Sequence, residues 1–341
     1  MSPRNSGSDD YYSSYADTRS LWNEKITLSV YDLESSSLFY AGFVFDILTL
    51  VALISFLVWA CVIRNHRGQM RGVISTILSW LVADVLYVIY EIFFPAKATV
   101  TNYYVIVFML NEFFFFLSSC LLFFVFYNLI HGYLDRLTDA GKPYATVATV
   151  HWVILALVSA LSVANWGVYV ALQVKEVTYD TTFHFINAYT DLDSARTIIY
   201  WIVSLEILAW SVFVLGKAGS HRFASKAPAI SLVAGSVFYF ALNLMYAIIS
   251  IRYSLERKHF VPSYLSTVIS VCQFFFCIGI VVGILLCCQN WRKLDGVDDR
   301  APATGVQYPY DTAPVQSNQQ WQQYHAYPAQ DAQGVQRPHY Q

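Results

Sequence analysis

Seven apolar runs, each long enough to cross a bilayer, constrain this chain more than any other feature of its sequence. They lie near 38–62, 72–94, 103–130, 144–173, 198–216, 228–251 and 265–288. A helix needs about 20 mostly apolar residues to traverse the hydrocarbon, and backbone groups in lipid must pair within their own segment. The expected fold is therefore all-α: a polytopic membrane protein built as a seven-transmembrane helix bundle. A composition of 56% hydrophobic and 13% charged residues over 341 positions lies outside the soluble range and agrees with it. The net charge of -2 is spread between the apolar runs rather than gathered on one basic face. Membrane lipids are thus the expected surroundings, and no nucleic acid is expected as a partner.

An odd number of spans puts the termini on opposite sides. Arg64, Arg67, Arg71, Arg136, Lys142, Lys217, Arg222, Lys226, Arg292 and Lys293 follow odd-numbered runs, ten residues in all. The other connections carry six: Lys97, Lys175, Arg196, Arg252, Arg257 and Lys258. The positive-inside rule then places the amino terminus outside and the carboxyl terminus in the cytoplasm, in the plasma membrane or an endomembrane. Residues 1–37 form a polar extracytoplasmic segment with no signal peptide, 38–288 the membrane domain, and 289–341 a Gln-, Ala-, Pro- and Tyr-rich tail expected to be disordered. The six cysteines, Cys61, Cys120, Cys272, Cys277, Cys287 and Cys288, sit in or at the ends of apolar runs, so no disulfide framework is expected. Cys287 and Cys288, just before Trp291, Arg292 and Lys293, are lipidation candidates; they read equally well as two small residues closing a helix.

Ionisable groups are costly in hydrocarbon, which makes each one inside a span a pointer to function. Asp46, Asp84, Glu112, Asn165, Glu206, Asn243 and Gln273 lie at similar depths, about 12–15 Å below the outer ends of their runs. Glu91 lies nearer the outside on the second helix, and His151 near the inner end of the fourth. With no Lys or Arg deep in any run, the carboxyls must be protonated, face water, or meet a cation. Amides in such a layer serve equally well as interhelical glue; carboxyls are expensive for that purpose alone. Trp80, Asp84, Tyr87 and Glu91 follow 4-3-4 spacing, as do Tyr239, Asn243, Tyr246 and Ser250, while Ser266, Ser270, Gln273 and Cys277 form a third stripe. Each stripe is one helical face, and these faces are expected to look into the bundle. The candidate ligand-binding residues are thus Asp46, Trp80, Asp84, Tyr87, Glu91, Glu112, Glu206, Tyr239, Asn243, Tyr246 and Gln273.

Offsets of 159 to 161 superpose Trp80, Asp84 and Tyr87 on Tyr239, Asn243 and Tyr246, Asp46-Ile47-Leu48 on Glu206-Ile207-Leu208, and Glu112 with its three phenylalanines on Gln273 with three more. Helices one to three then repeat as five to seven around a connector, a 3+1+3 parallel internal repeat. Phenylalanine runs arise cheaply in a chain with 17% aromatics, and chance is the competing account.

This 3+1+3 arrangement resembles that of SWEET-type sugar transporters and PQ-loop proteins, although the Pro-Gln dipeptide of the latter is absent and the prolines stand at span ends. A rhodopsin-class receptor is disfavoured, because the third helix ends Tyr127-Asn128-Leu129-Ile130-His131 and the seventh has neither proline nor a lysine for a retinal linkage. The layout as a whole, a Ser- and Tyr-rich start, aromatic-rich spans and a Gln-, Tyr- and Pro-rich tail, is similar to receptor-like integral membrane proteins of filamentous fungi. The odd number of spans, the polar layer near the outside and the long inner tail favour a receptor-like protein that senses a small ligand in an outer-half pocket and signals through inner loops and tail to a cytoplasmic partner. The alternatives are a cation- or proton-coupled transporter and a membrane-embedded enzyme resembling fungal terpene cyclases, with Glu91 and Asp84 among aromatic residues. No cofactor or metal site is expected: the only histidines in the spans, His131 and His151, lack zinc-ligand spacing, and there is no Gly-rich phosphate loop. Gly279 and Gly283 predict close helix packing within one molecule.

Overall fold

The computed structural model describes residues 21–27, 36–63, 67–93, 96, 98–137, 144–178, 183–220, 226–256, 262 and 264–290. They contain seven long helices: α1 (Ser36–Val62), α2 (Arg67–Phe93), α3 (Val105–Arg136), α4 (Ala145–Val177), α5 (Phe183–Ser220), α6 (Ala227–Ile249) and α7 (Tyr264–Gln289). All seven are long and apolar enough to span a membrane. The chain is a seven-helix integral membrane protein. Its outward faces carry the side chains expected against lipid: Val51, Ile54 and Val58 on α1, and Trp152, Val153, Leu157 and Val163 on α4, are each about half exposed or more. The tail and the loop residues Arg64, Lys142 and Arg222 lie outside the described residues.

The odd-numbered helices begin at one end of the bundle, here called the N-terminal face, and the even-numbered ones begin at the other, the C-terminal face. Each helix packs on its chain neighbours, α1 closes the ring on α7, and α3 also reaches α5. At the N-terminal face, β1 (Lys25–Thr27) pairs antiparallel with β2 (Thr99–Thr101), in the connection from α2 to α3. Asn102 ties this cap down by donating its Nδ2 to the Leu21 carbonyl at 2.7 Å, and Trp22 stacks on Tyr103.

Toward the C-terminal face the interior is closely packed. Ile77, Phe123, Phe126, Ile130, Tyr133, Leu134, Ile280 and Ile284 are almost wholly buried in one cluster. A void of about 10 Å³ between Val73, Ile77, Leu122 and Ile284 is at the lower limit for a water molecule. Gly283 makes this packing close: a Cβ on it would lie 2.6 Å from the Cα of Gly235 on α6. The glycine spacing in α7 thus serves contact within the molecule. Cys287 and Cys288 are also wholly buried in this cluster, with Tyr133 of α3 beside Cys287. The helix continues to Gln289, and both thiols sit in the core. All six cysteines are free.

The fifth helix departs furthest from its apolar run. It starts at Phe183, not near 198, so the stretch read as an outer loop is largely helical; residues 179–182 lie outside the described residues. Phe185 of the Phe183-His184-Phe185 stretch sits beneath the Lys175 ammonium, 5.3 Å from its ring centre. The sixth helix ends in a wide π turn, Ser250–Leu255, closed by an Arg252–Glu256 pair at 3.2 Å.

Candidate functional site

Two chambers lie side by side in the half of the bundle nearer the N-terminal face. The larger, about 300 Å³, is lined by Asp46 of α1, Trp80, Asp84 and Tyr87 of α2, Glu112 of α3, and Ser270 and Gln273 of α7. The other, about 270 Å³, is lined from α3 by Glu112, Ser118 and Ser119, from α5 by Tyr189, Asp193, Arg196 and Tyr200, and from α6 by Tyr239, Asn243, Tyr246 and Ser250. Trp80, Glu112, Phe115 and Tyr246 line both chambers and form their shared wall. Every helix except α4 contributes.

The helical stripes account for this gathering. The 4-3-4 spacing on α2 puts Trp80, Asp84 and Tyr87 on one wall; the same spacing on α6 brings Tyr239, Asn243 and Tyr246 opposite. Tyr246 donates its hydroxyl to Gln273 Oε1 at 3.0 Å, and Ser270 donates to Asp46 Oδ2 at 3.3 Å, which ties α7 to α6 and to α1. Glu91 lines neither chamber. It lies within hydrogen-bonding reach of Asp46 and of Tyr87, immediately behind the wall. Several polar atoms are left open: the indole N–H of Trp80, Asp84 Oδ2 and Ser250 Oγ are buried with no hydrogen-bond partner. Native interiors rarely tolerate such atoms without a use for them.

One residue overturns the expectation that the polar layer holds no base. Arg196, 8% exposed, lines the smaller chamber. Its guanidinium donates through Nη2 and Nε to Asp193 Oδ1 at 2.7 and 3.2 Å, and stands over the rings of Phe116 and Tyr200 at 4.2 and 5.2 Å. Asp193 Oδ1 also accepts from Nδ2 of Asn165 on α4 at 3.0 Å. Asn165 therefore braces the ion pair from behind. Tyr200 below it meets Ser162 and packs edge-on against Phe123, which in turn meets Tyr239, and these rings floor the chamber.

Glu206 does not join this site. Because α5 begins at Phe183, Glu206 lies about 35 Å along it, not one helical depth below its outer end. There it accepts the Tyr127 hydroxyl at 2.8 Å through Oε2 and pairs with His151 Nε2 at 2.6 Å through Oε1. His151 Nδ1 continues to His131 Nε2 at 2.8 Å, and the Tyr127 ring stacks on His151. A second polar system thus links α3, α4 and α5 in the half nearer the C-terminal face. No group of three or more His, Cys, Asp or Glu among the described residues is arranged to hold a metal ion.

Comparison with protein-family models, with curated proteins and with solved structures finds no significant match to this chain.

Proposed function

We propose that the protein is a receptor-like sensor that binds a small molecule in the paired chambers and signals through the C-terminal-face connections and the tail to a cytoplasmic partner. One observation carries the reading. Two adjoining chambers draw walls from six of the seven helices and stop at a tightly packed layer. A ligand seated there touches helices on both sides of the bundle, so occupancy biases how they pack without opening a path through it. The positive-inside arrangement puts these chambers on the outer side, where an external ligand arrives.

A cation- or proton-coupled transporter is the second reading, favoured by the polar chain Tyr127–Glu206–His151–His131 in the half nearer the C-terminal face. Such a chain offers a route for protons that a sensor does not need. Reconstitution into lipid vesicles separates the two. On the sensor reading, an imposed pH or cation gradient lasts as long as in empty vesicles. Faster discharge that vanishes in the Asp84→Asn protein moves the assignment to transport.

A further inference from the structure

We infer that the ligand of the paired chambers is a small organic ammonium ion. This deepens the reading of the cavity as a ligand site and rests on it.

Asp46, Asp84 and Glu112 all line the larger chamber, and no Lys or Arg forms an ion pair with any of them among the described residues. The one base lining either chamber, Arg196, is paired with Asp193 and stands over two aromatic rings; its charge also reaches Glu112, so Asp46 and Asp84 are the carboxyls of the larger chamber left without a base. Asp84 is 6% exposed and its Oδ2 has no partner, so the chamber presents a buried carboxylate oxygen that nothing in the protein satisfies. A buried carboxyl meets a proton, water or a cation.

The other walls discriminate among these. Trp80, Phe115 and Tyr246 line both chambers, and aromatic rings attract a cation while doing little for a proton or a water molecule. A metal ion needs several ligands converging on one point, and no group of three or more His, Cys, Asp or Glu among the described residues converges so. An ammonium group is satisfied by one or two carboxylates and a ring beside it. The Trp80 indole N–H, 3% exposed and unpartnered, lines the same space and offers a donor to a hydroxyl or carbonyl oxygen on the ligand body. Chambers of about 270 and 300 Å³ suit a molecule built on a single ring.

The test uses three probes of closely similar shape and different charge: phenethylammonium, 2-phenylethanol and phenylacetate, titrated onto the full chain in lipid nanodiscs by calorimetry. The ammonium is expected to bind about tenfold or more tightly than the alcohol, and the carboxylate not at all. Asp84→Asn should reduce ammonium affinity by a similar factor and leave that of the alcohol unchanged. Trp80→Phe, which removes the N–H donor and one ring of the indole but keeps an aromatic face, provides a second variant should Asp84→Asn fail to fold; it should weaken the alcohol while keeping the preference for charge. Equal binding of alcohol and ammonium, or preference for the carboxylate, overturns the cation inference and leaves the cavity as a ligand site. No binding by any probe at millimolar concentration removes the ligand-site reading as well.

Discussion

Replacing Gly283 by alanine tests whether the layer beneath the chambers is as tightly closed as the structure makes it. The new Cβ would stand 2.6 Å from Gly235 Cα, 2.7 Å from Gly235 N and 2.9 Å from the Ser231 carbonyl oxygen, all backbone atoms of α6. Carbon atoms in contact prefer about 3.5–4.0 Å, so α6 and α7 must part by about 1 Å along this line. A gap of that size forfeits a quarter to a half of each contact across the seam, and overpacking of this kind costs about 1–3 kcal/mol. Alanine returns up to about 1 kcal/mol in helix propensity, leaving a net loss of about 0–2 kcal/mol. The reverse substitution at the same contact is the control. A Cβ on Gly235 meets its nearest neighbours, Gly283 Cα and the Ile280 carbonyl oxygen, at 3.4 Å, and Gly167 meets nothing within 4 Å. Gly235→Ala should therefore fall within about 0.5 kcal/mol of the parent, and Gly167→Ala should be neutral or stabilising by up to about 1 kcal/mol. Thermal unfolding of the three purified variants gives the order directly. If Gly235→Ala is as damaging as Gly283→Ala, or more so, the described seam is wrong.

Two further substitutions probe the polar systems. Arg196→Met leaves Asp193 without its cation; with side-chain exposures of 10% and 32% the pair lies between buried and exposed limits, so the loss should be about 2–3 kcal/mol. The double change with Asp193→Asn should recover most of it in the same unfolding assay, and additive losses would count against the pairing. Glu206→Gln keeps an acceptor for the Tyr127 hydroxyl but replaces the charge-assisted contact to His151, which predicts a loss of about 1–3 kcal/mol and, on the sensor reading, a changed affinity for a chamber ligand although Glu206 lines neither chamber. Unchanged affinity would show that the two polar systems are not coupled.

The bundle was legible because lipid leaves the backbone only one spanning option at these lengths, and α1 to α4, α6 and α7 each overlap a run readable in the sequence. The α2 and α6 walls were legible for a related reason: a 4-3-4 spacing of polar and aromatic residues marks a face whatever the neighbouring helices do. What the helical period does not supply is depth. Glu206 shares its offset with Asp46, yet Asp46 meets Ser270 in the upper layer and Glu206 meets His151 in the lower one. Counting inward from an apolar boundary fails where the helix starts well before the lipid does, as α5 does. The stretch from Phe183 to Thr197 carries Asp191, Asp193 and Arg196, and hydropathy alone marks it as a loop. The signal available was the i, i+3 spacing of Asp193 and Arg196, with Tyr189 and Tyr200 continuing the same face at i−4 and i+4 from that pair.

That hidden helix matters because it carries a residue of each polar system. Asp193 and Arg196 sit in the upper chamber, and Glu206 lies about 15 Å farther along the same helix in the Tyr127–His151 contact. Between them the Tyr200, Phe123 and Tyr239 rings pack edge to face, with Phe126 stacked on Tyr239, while α5 itself runs continuously past that layer. A helix transmits axial shifts and rotations over such a distance with little loss, because its hydrogen bonds close every turn. A ligand that engages the α5 wall can therefore change the His151–Glu206 contact without touching it, and the Arg196→Met and Glu206→Gln proteins report the two ends of that connection separately.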